Sequence, residues 1–168
     1  MKSALCLGIF FFIALIGFGF LMQHIARENW PNAAAINFGT KPTYAPNTVR
    51  ALLTEHRADA RKYIFPGLFP LDLIYLACLG GTIALLSFGF ANPAAPDRLW
   101  LLLIVPVGYM IADLTENLAL AHMLSSAPEA VTGGTVTLVQ SLTIIKLGLW
   151  LAGTLQVIYL FVSWLVRG

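Results

Sequence analysis

Four runs of this sequence are long and apolar enough to cross a bilayer, and that constrains the fold more than anything else in it. They cover roughly residues 4–22, 66–90, 99–124 and 135–166. A spanning helix needs about 20 predominantly apolar residues. In hydrocarbon every backbone N–H and C=O must find its partner within the segment, so each run is expected to be a helix. The last run is overlong and is expected to tilt or to extend beyond the bilayer. Composition agrees, with 58% of the 168 residues hydrophobic and only 11% charged, against about 45–50% and about 25% in soluble domains. The predicted fold is an all-α transmembrane four-helix bundle forming a single domain over residues 1–168. One long extramembrane loop, residues 23–65, joins the first two spans.

Several classes drop out on charge and motif. The net charge of +2 and the lack of a basic stripe with interleaved aromatics argue against nucleic acid as a partner. Cys6 and Cys78 lie inside apolar runs and read as small hydrophobes. The N-terminal "MKSALCLGIFFFIALIGFGF" is too long for a signal-peptide core and reads as a retained first span. The Phe cluster at 10–12 reads as lipid-facing or helix-packing material, and Gly80–Gly81 as a site of close helix approach. No P-loop, dinucleotide, nucleophile-elbow or metalloprotease signature is present.

Four spans put both termini on one side, and the long loop with "SSAPEAVTGG" (125–134) on the other. Three Lys/Arg (Lys2, Arg98, Arg167) fall on the terminal side, and six (Arg27, Lys41, Arg50, Arg57, Arg61, Lys62) on the long loop. The positive-inside rule makes the loop cytoplasmic, whereas a Lys-led first span favours the opposite insertion. Trp100, Trp150, Tyr159 and Trp164 include plausible interface anchors. Within the loop, "NTVRALLTEHRADARKY" reads as a short helix with Asn47 as its N-cap and mostly polar residues beyond Leu53.

The informative feature lies in the third span. In "GYMIADLTENLALAHM" (108–123), residues Tyr109, Asp113, Glu116, Asn117 and Leu120 share one helical face, since positions three and four apart are neighbours. That stripe must face the bundle interior, because a lipid-facing charge costs about 2.5–3.5 kcal/mol. Counting inward from the loop side at 1.5 Å per residue puts Asp72, Glu116, Asn117 and Gln140 roughly 8–12 Å deep. Tyr75 falls at about 13 Å, and Asp113 and Lys146 at about 16–18 Å. Gln23, His24 and His122 fall at the mouth of this region. The other half of the bundle holds small and apolar residues apart from scattered Ser and Thr.

A polar pocket open toward the long loop is therefore expected, built from Asp72, Tyr75, Asp113, Glu116, Asn117, Gln140 and Lys146. A plainer reading has the same groups stapling the helices. Asp113 would pair with Lys146, Asn117 with Gln140, and Arg61 or Lys62 would reach Asp72. Three carboxylates against one cation leave a surplus acid even then, and Glu116 is the candidate acid or base. His24 and His122 as paired haem ligands lack any supporting second pair or CxxCH, and read better as interfacial residues. His56, with Glu55 and Asp59, reads as solvated, and no metal site is expected.

The stretches "FPLDLIY" (69–75) and "ADLTEN" (112–117) resemble a pattern in small bacterial four-span membrane proteins, an acid early in one span and D-x-x-E-N in the next. The resemblance implies a bacterial inner membrane and no particular activity. The Arg- and His-rich pattern of membrane glutathione transferases is absent. The sterol-isomerase-like proteins are similar only in placing acids in a membrane cavity. Two functions are expected from different classes. One is a membrane protein binding a lipophilic small molecule, or exchanging a proton or cation, in its pocket. The other is a non-catalytic accessory subunit of a larger membrane complex, or of a homo-oligomer, packed through its lipid face.

Overall fold

The computed structural model describes residues 2–36, 38–91 and 96–167, with the side chains of 2–4, 96–98 and 167 left aside. Its helices in chain order are α1 (Lys2–Asn29), α2 (Pro31–Ile36), α3 (Pro46–Glu55), α4 (Arg57–Lys62), α5 (Leu73–Phe90), α6 (Ile104–Ser125) and α7 (Gly133–Arg167). A 3-10 segment, Pro96–Leu103, leads into α6, and a short turn, Pro128–Ala130, precedes α7. Among the described residues there is no strand. Four helical stretches are long and apolar enough to cross a membrane: Leu5–Asn29, Arg57–Phe90, Leu99–Ser125 and Gly133–Val166.

These long helices pack as two pairs. α1 lies along α5, α6 lies along α7, and α5 joins the pairs by touching both α6 and α7. The α1–α5 seam is drawn tight by small residues. A Cβ added to Gly89 would sit 3.1 Å from Leu5 Cα, and one added to Gly8 would sit 2.8 Å from a Leu86 methyl. Lipid tails are as apolar as the side chains, so close van der Waals approach replaces hydrophobic drive inside the membrane. Gly80 opens toward Met110 on α6, whereas Gly81 faces open space, so only the first of the pair serves helix packing. Gln156 departs from the expectation of a far half that is small and apolar apart from scattered Ser and Thr. Its amide donates to Ser87 Oγ (2.8 Å) and to the Leu102 carbonyl (3.0 Å), tying α7 to α5 and to the entry of α6.

The segment 23–65, expected as a loop with one short helix from Asn47, carries that helix as α3 and α4 and is more helical elsewhere than expected. α1 runs seven residues beyond the expected end at Met22, and α2, α3 and α4 occupy much of the remainder. Trp30 breaks α1 from α2 because Pro31 follows it and disfavours helical backbone at the preceding residue. Ala45, not Asn47, is the N-cap of α3, extended at φ −88°, ψ 155°, with Pro46 opening the first turn. Val49, Leu52 and Leu53 of α3 are buried and stand three and four apart on one face. They join Trp30, Phe38, Met123, Leu124 and Val139 in the main apolar core. The core thus sits among the short helices α2–α4 and the α6–α7 end, where burying such groups from water is worth about 1.5–3 kcal/mol per large side chain. Arg50 locks this cap to the α6–α7 turn, its Nε and Nη2 donating to the Val131 carbonyl at 2.9 and 2.7 Å.

Between α4 and α5 the chain kinks. Phe65 and Phe69 are extended inside Tyr63–Asp72, each preceding a proline, Pro66 or Pro70. The kink sets Asp72 at the head of α5 and turns its side chain toward α6.

Candidate functional site

The polar stripe of α6 is buried as its spacing requires. Tyr109, Asp113, Glu116, Asn117 and Leu120 are all buried, while Ile111, Leu114 and Leu118 on the other faces are exposed. Lys146, approaching from α7, is the hub of the cluster. Its ammonium lies 3.2 Å from Asp113 Oδ1 and is ion-paired with Glu116 Oε2 as well. The expected Asp113–Lys146 pair is therefore present, and Glu116 shares it. Tyr109 donates its hydroxyl to Asp113 Oδ2 at 3.2 Å. Thr143, one turn before Lys146, donates to Glu116 Oε1 and lies 3.1 Å from the Val139 carbonyl. A hydroxyl has one proton, and the carboxylate is the stronger acceptor.

Asp72 is satisfied differently. It accepts a 2.7 Å hydrogen bond from Asn117 Nδ2, and among the described residues no Lys or Arg lies within ion-pairing distance of it. Arg61 and Lys62, expected to reach inward, are exposed. Asp72 is therefore the acid with no cation in contact, whereas Glu116, 0% exposed, is held by Lys146 and Thr143, although one ammonium balances only one of the two carboxylates it touches. The expected Asn117–Gln140 bond is not made either. Asn117 is committed to Asp72, and Gln140 donates to the Tyr44 carbonyl at 2.7 Å, serving the cap.

A cavity of about 510 Å³ lies beside this network. Asp72, Tyr75, Asp113, Asn117 and Lys146 of the expected set line it, whereas Glu116 stands behind Lys146 and Gln140 lies outside. Gln23, expected at the mouth, lines it too, while His24 and His122 are exposed and apart from it. Tyr109, on the inward stripe but outside the expected pocket set, is a wall residue, and sequence reasoning missed Tyr63 and Trp30. Thr143 was also missed, although its place three residues before Lys146 puts it on the same face. Trp150, read as an interface anchor, also lines the cavity. It sits about 25 Å along α7 from Gly133, in mid-span.

The cap closes over the cluster. A Cβ on Gly39 would lie 3.5 Å from Lys146 Nζ, so the backbone of the α2–α3 connection rests close to the ammonium. Tyr44 packs edge-on against Phe38 with ring centroids 4.9 Å apart. The two carboxylate oxygens without a hydrogen bond, Asp113 Oδ1 and Glu116 Oε2, are those facing the ammonium. Among the described residues that leaves the Tyr44 hydroxyl as the buried side-chain oxygen with neither kind of partner. Burial pushes the Tyr44 phenol well above its ordinary value, and the Glu116 carboxylate adds to the rise.

Among the described residues no group of three His, Cys, Asp or Glu is placed to hold a metal ion. Fold and site together define the class, a helical membrane protein with a buried charge network beside a cavity. No family model, curated protein or solved structure matches the chain.

Proposed function

We propose that this protein binds the polar end of a lipophilic small molecule in the cavity beside α6, with Asp72 as the acid that takes up a proton or pairs with a cation. The carrying observation is that Asp72 lines the cavity with an amide, not a cation, as its partner. A charged group in a membrane interior needs a counter-charge, and one without it is a functional candidate by default. Lys146 is already engaged by two carboxylates, which makes Asp113, Glu116 and Lys146 the scaffold that fixes the α6 stripe. Any chemistry at this site would be proton transfer on a lipid-like substrate, with Asp72 as the group in contact. The likeness of the two acid-bearing stretches to small bacterial membrane proteins supports a bacterial inner membrane. An even number of spans supports both termini on one side, with membrane lipid as the first partner.

Native mass spectrometry of the full chain released from membranes tests this. A lipophilic molecule should be retained by the native protein and lost from Asp72→Asn, with the melting temperature kept. Equal retention in both would overturn the reading. A protein partner at fixed stoichiometry, with an empty cavity, would instead establish the accessory-subunit role.

A further inference from the structure

A second cavity of about 430 Å³ adjoins the first, and Gln23, Tyr75, Leu79 and Trp150 border both. Its remaining wall is almost wholly apolar, with Phe12, Leu15 and Phe20 from α1, Leu86 from α5, and Val157 and Ile158 from α7. It follows α1 from Gln23 to Phe12, a length of about 16 Å, which is that of a fatty chain. The packing leaves this groove open sideways. α1 lies on α5, and its contact with α6 or α7 is marginal at most. Phe12, Ile16, Phe20 and Ile158 along the slot are each about half exposed or more.

We infer that the occupant is a single-chain amphiphile with a protonated amine at its head, entering sideways from the bilayer between α1 and α7. This rests on the reading of the Asp72 cavity above and names its ligand class. The head is cationic because the spans hold three carboxylates against one ammonium, which Asp113 and Glu116 share, leaving Asp72 with only an amide partner. An anionic head would meet Lys146 already paired and Asp72 of like charge. An ammonium would donate to Asp72, and it would have the Tyr75 and Trp150 rings at the junction within the same walls. The tail is a single chain because the apolar groove adjoining the polar chamber holds about 430 Å³ along about 16 Å of α1. Hydrocarbon gains little free energy on moving from lipid into an apolar groove, so the head supplies the selectivity and the groove supplies the direction.

Photolabelling of the full chain in nanodiscs tests this. The probes are dodecylamine with a diazirine at its tail end, dodecyl sulfate carrying the same diazirine, and a diazirine-bearing butylamine. Mapped by peptide mass spectrometry, the dodecylamine probe should label the groove walls of α1, α5 and α7 about tenfold above the sulfate. Asp72→Asn should abolish that excess. A Cβ on Gly19 lies 3.9 Å from Tyr75 Cε2, so Gly19→Phe fills the junction. It should remove groove labelling by dodecylamine while the butylamine probe still labels beside Asp72. Ile16→Trp, at a half-exposed groove position one turn from Gly19, serves the same purpose if Gly19→Phe does not fold. Equal labelling by the sulfate, an excess that survives Asp72→Asn, or tail labels spread over the lipid-facing surface would overturn the inference. If butylamine labels beside Asp72 but dodecylamine shows no groove preference, this inference fails and the cavity reading stands. If neither amine labels the cavity, this inference fails, and the cavity reading is decided by the ligand retention of the native protein against Asp72→Asn.

Discussion

Lys146→Met is the sharpest perturbation the structure offers, because one ammonium serves two carboxylates. Asp113 and Glu116 are 2% and 0% exposed, and the Lys146 side chain is 12% exposed, so little water is at hand to replace it. Removing one partner of a buried pair costs about 3–5 kcal/mol, chiefly from the charge left behind. Here two carboxylates are left, one turn apart on α6, and the loss should lie at or above the top of that range. Against a total stability of about 5–15 kcal/mol, such a variant should be close to unfolding. Replacing a whole buried ionic cluster by neutral groups of similar volume is often near neutral. The triple variant Lys146→Met/Asp113→Asn/Glu116→Gln should therefore recover most of the loss, to within about 2 kcal/mol of native. The assay is equilibrium unfolding in mixed micelles followed by far-UV circular dichroism. If Lys146→Met alone costs less than about 1 kcal/mol, the range of an exposed pair, or if the triple is no better than the single, Lys146 is not the hub and the scaffold argument fails.

Gly89→Ala should destabilise by about 1–3 kcal/mol because the new methyl meets the α1 backbone at Leu5. Gly81→Ala faces open space and should be neutral or slightly stabilising in the same unfolding assay. Arg50→Met removes both bonds to the Val131 carbonyl and should cost about 1.5–3 kcal/mol. The faster amide exchange should be confined to α3 and the α6–α7 turn, and protection unchanged there would refute its clamping role. Tyr44→Phe deletes a buried hydroxyl without a partner and should stabilise by about 1 kcal/mol. The phenol is raised in the folded state, so its contribution is intact below the unfolded value of about 10 and is lost as pH rises beyond it. Tyr44→Phe should therefore flatten the fall in stability above that pH, and an unchanged alkaline limb would show that Tyr44 is not the group responsible.

The acid-bearing face of α6 was legible because helical periodicity and the cost of charge in hydrocarbon act on the chain locally. Asp113, Glu116 and Asn117 had to point inward whatever surrounded them, and depth counting was enough to bring Lys146 to Asp113. The same counting placed Glu116, Asn117 and Gln140 at one level but is blind to azimuth. It could not tell that Lys146 would reach two acids, that Asn117 would turn to Asp72, or that Gln140 would serve Tyr44 in the cap.

Over residues 23–65 the sequence shows one short helix, "NTVRALLTEHRADARKY", and otherwise reads as irregular, because Pro, Gly and Asn break regular patterns and short helices between such breaks carry weak periodic signals. Their apolar residues acquire a purpose only against Met123, Leu124 and Val139, which lie far away in sequence. By itself, then, the sequence determined the four apolar helices and the inward face of α6, because solvation by lipid decides those residue by residue. Only the tertiary structure decided which acid lacks a cation in contact, where the apolar core lies, and that a second, mostly apolar cavity adjoins the one Asp72 lines. Those depend on how helices rotate and which of them touch, and in a bilayer that is set by side-chain fit rather than by any hydrophobic pattern a single segment displays.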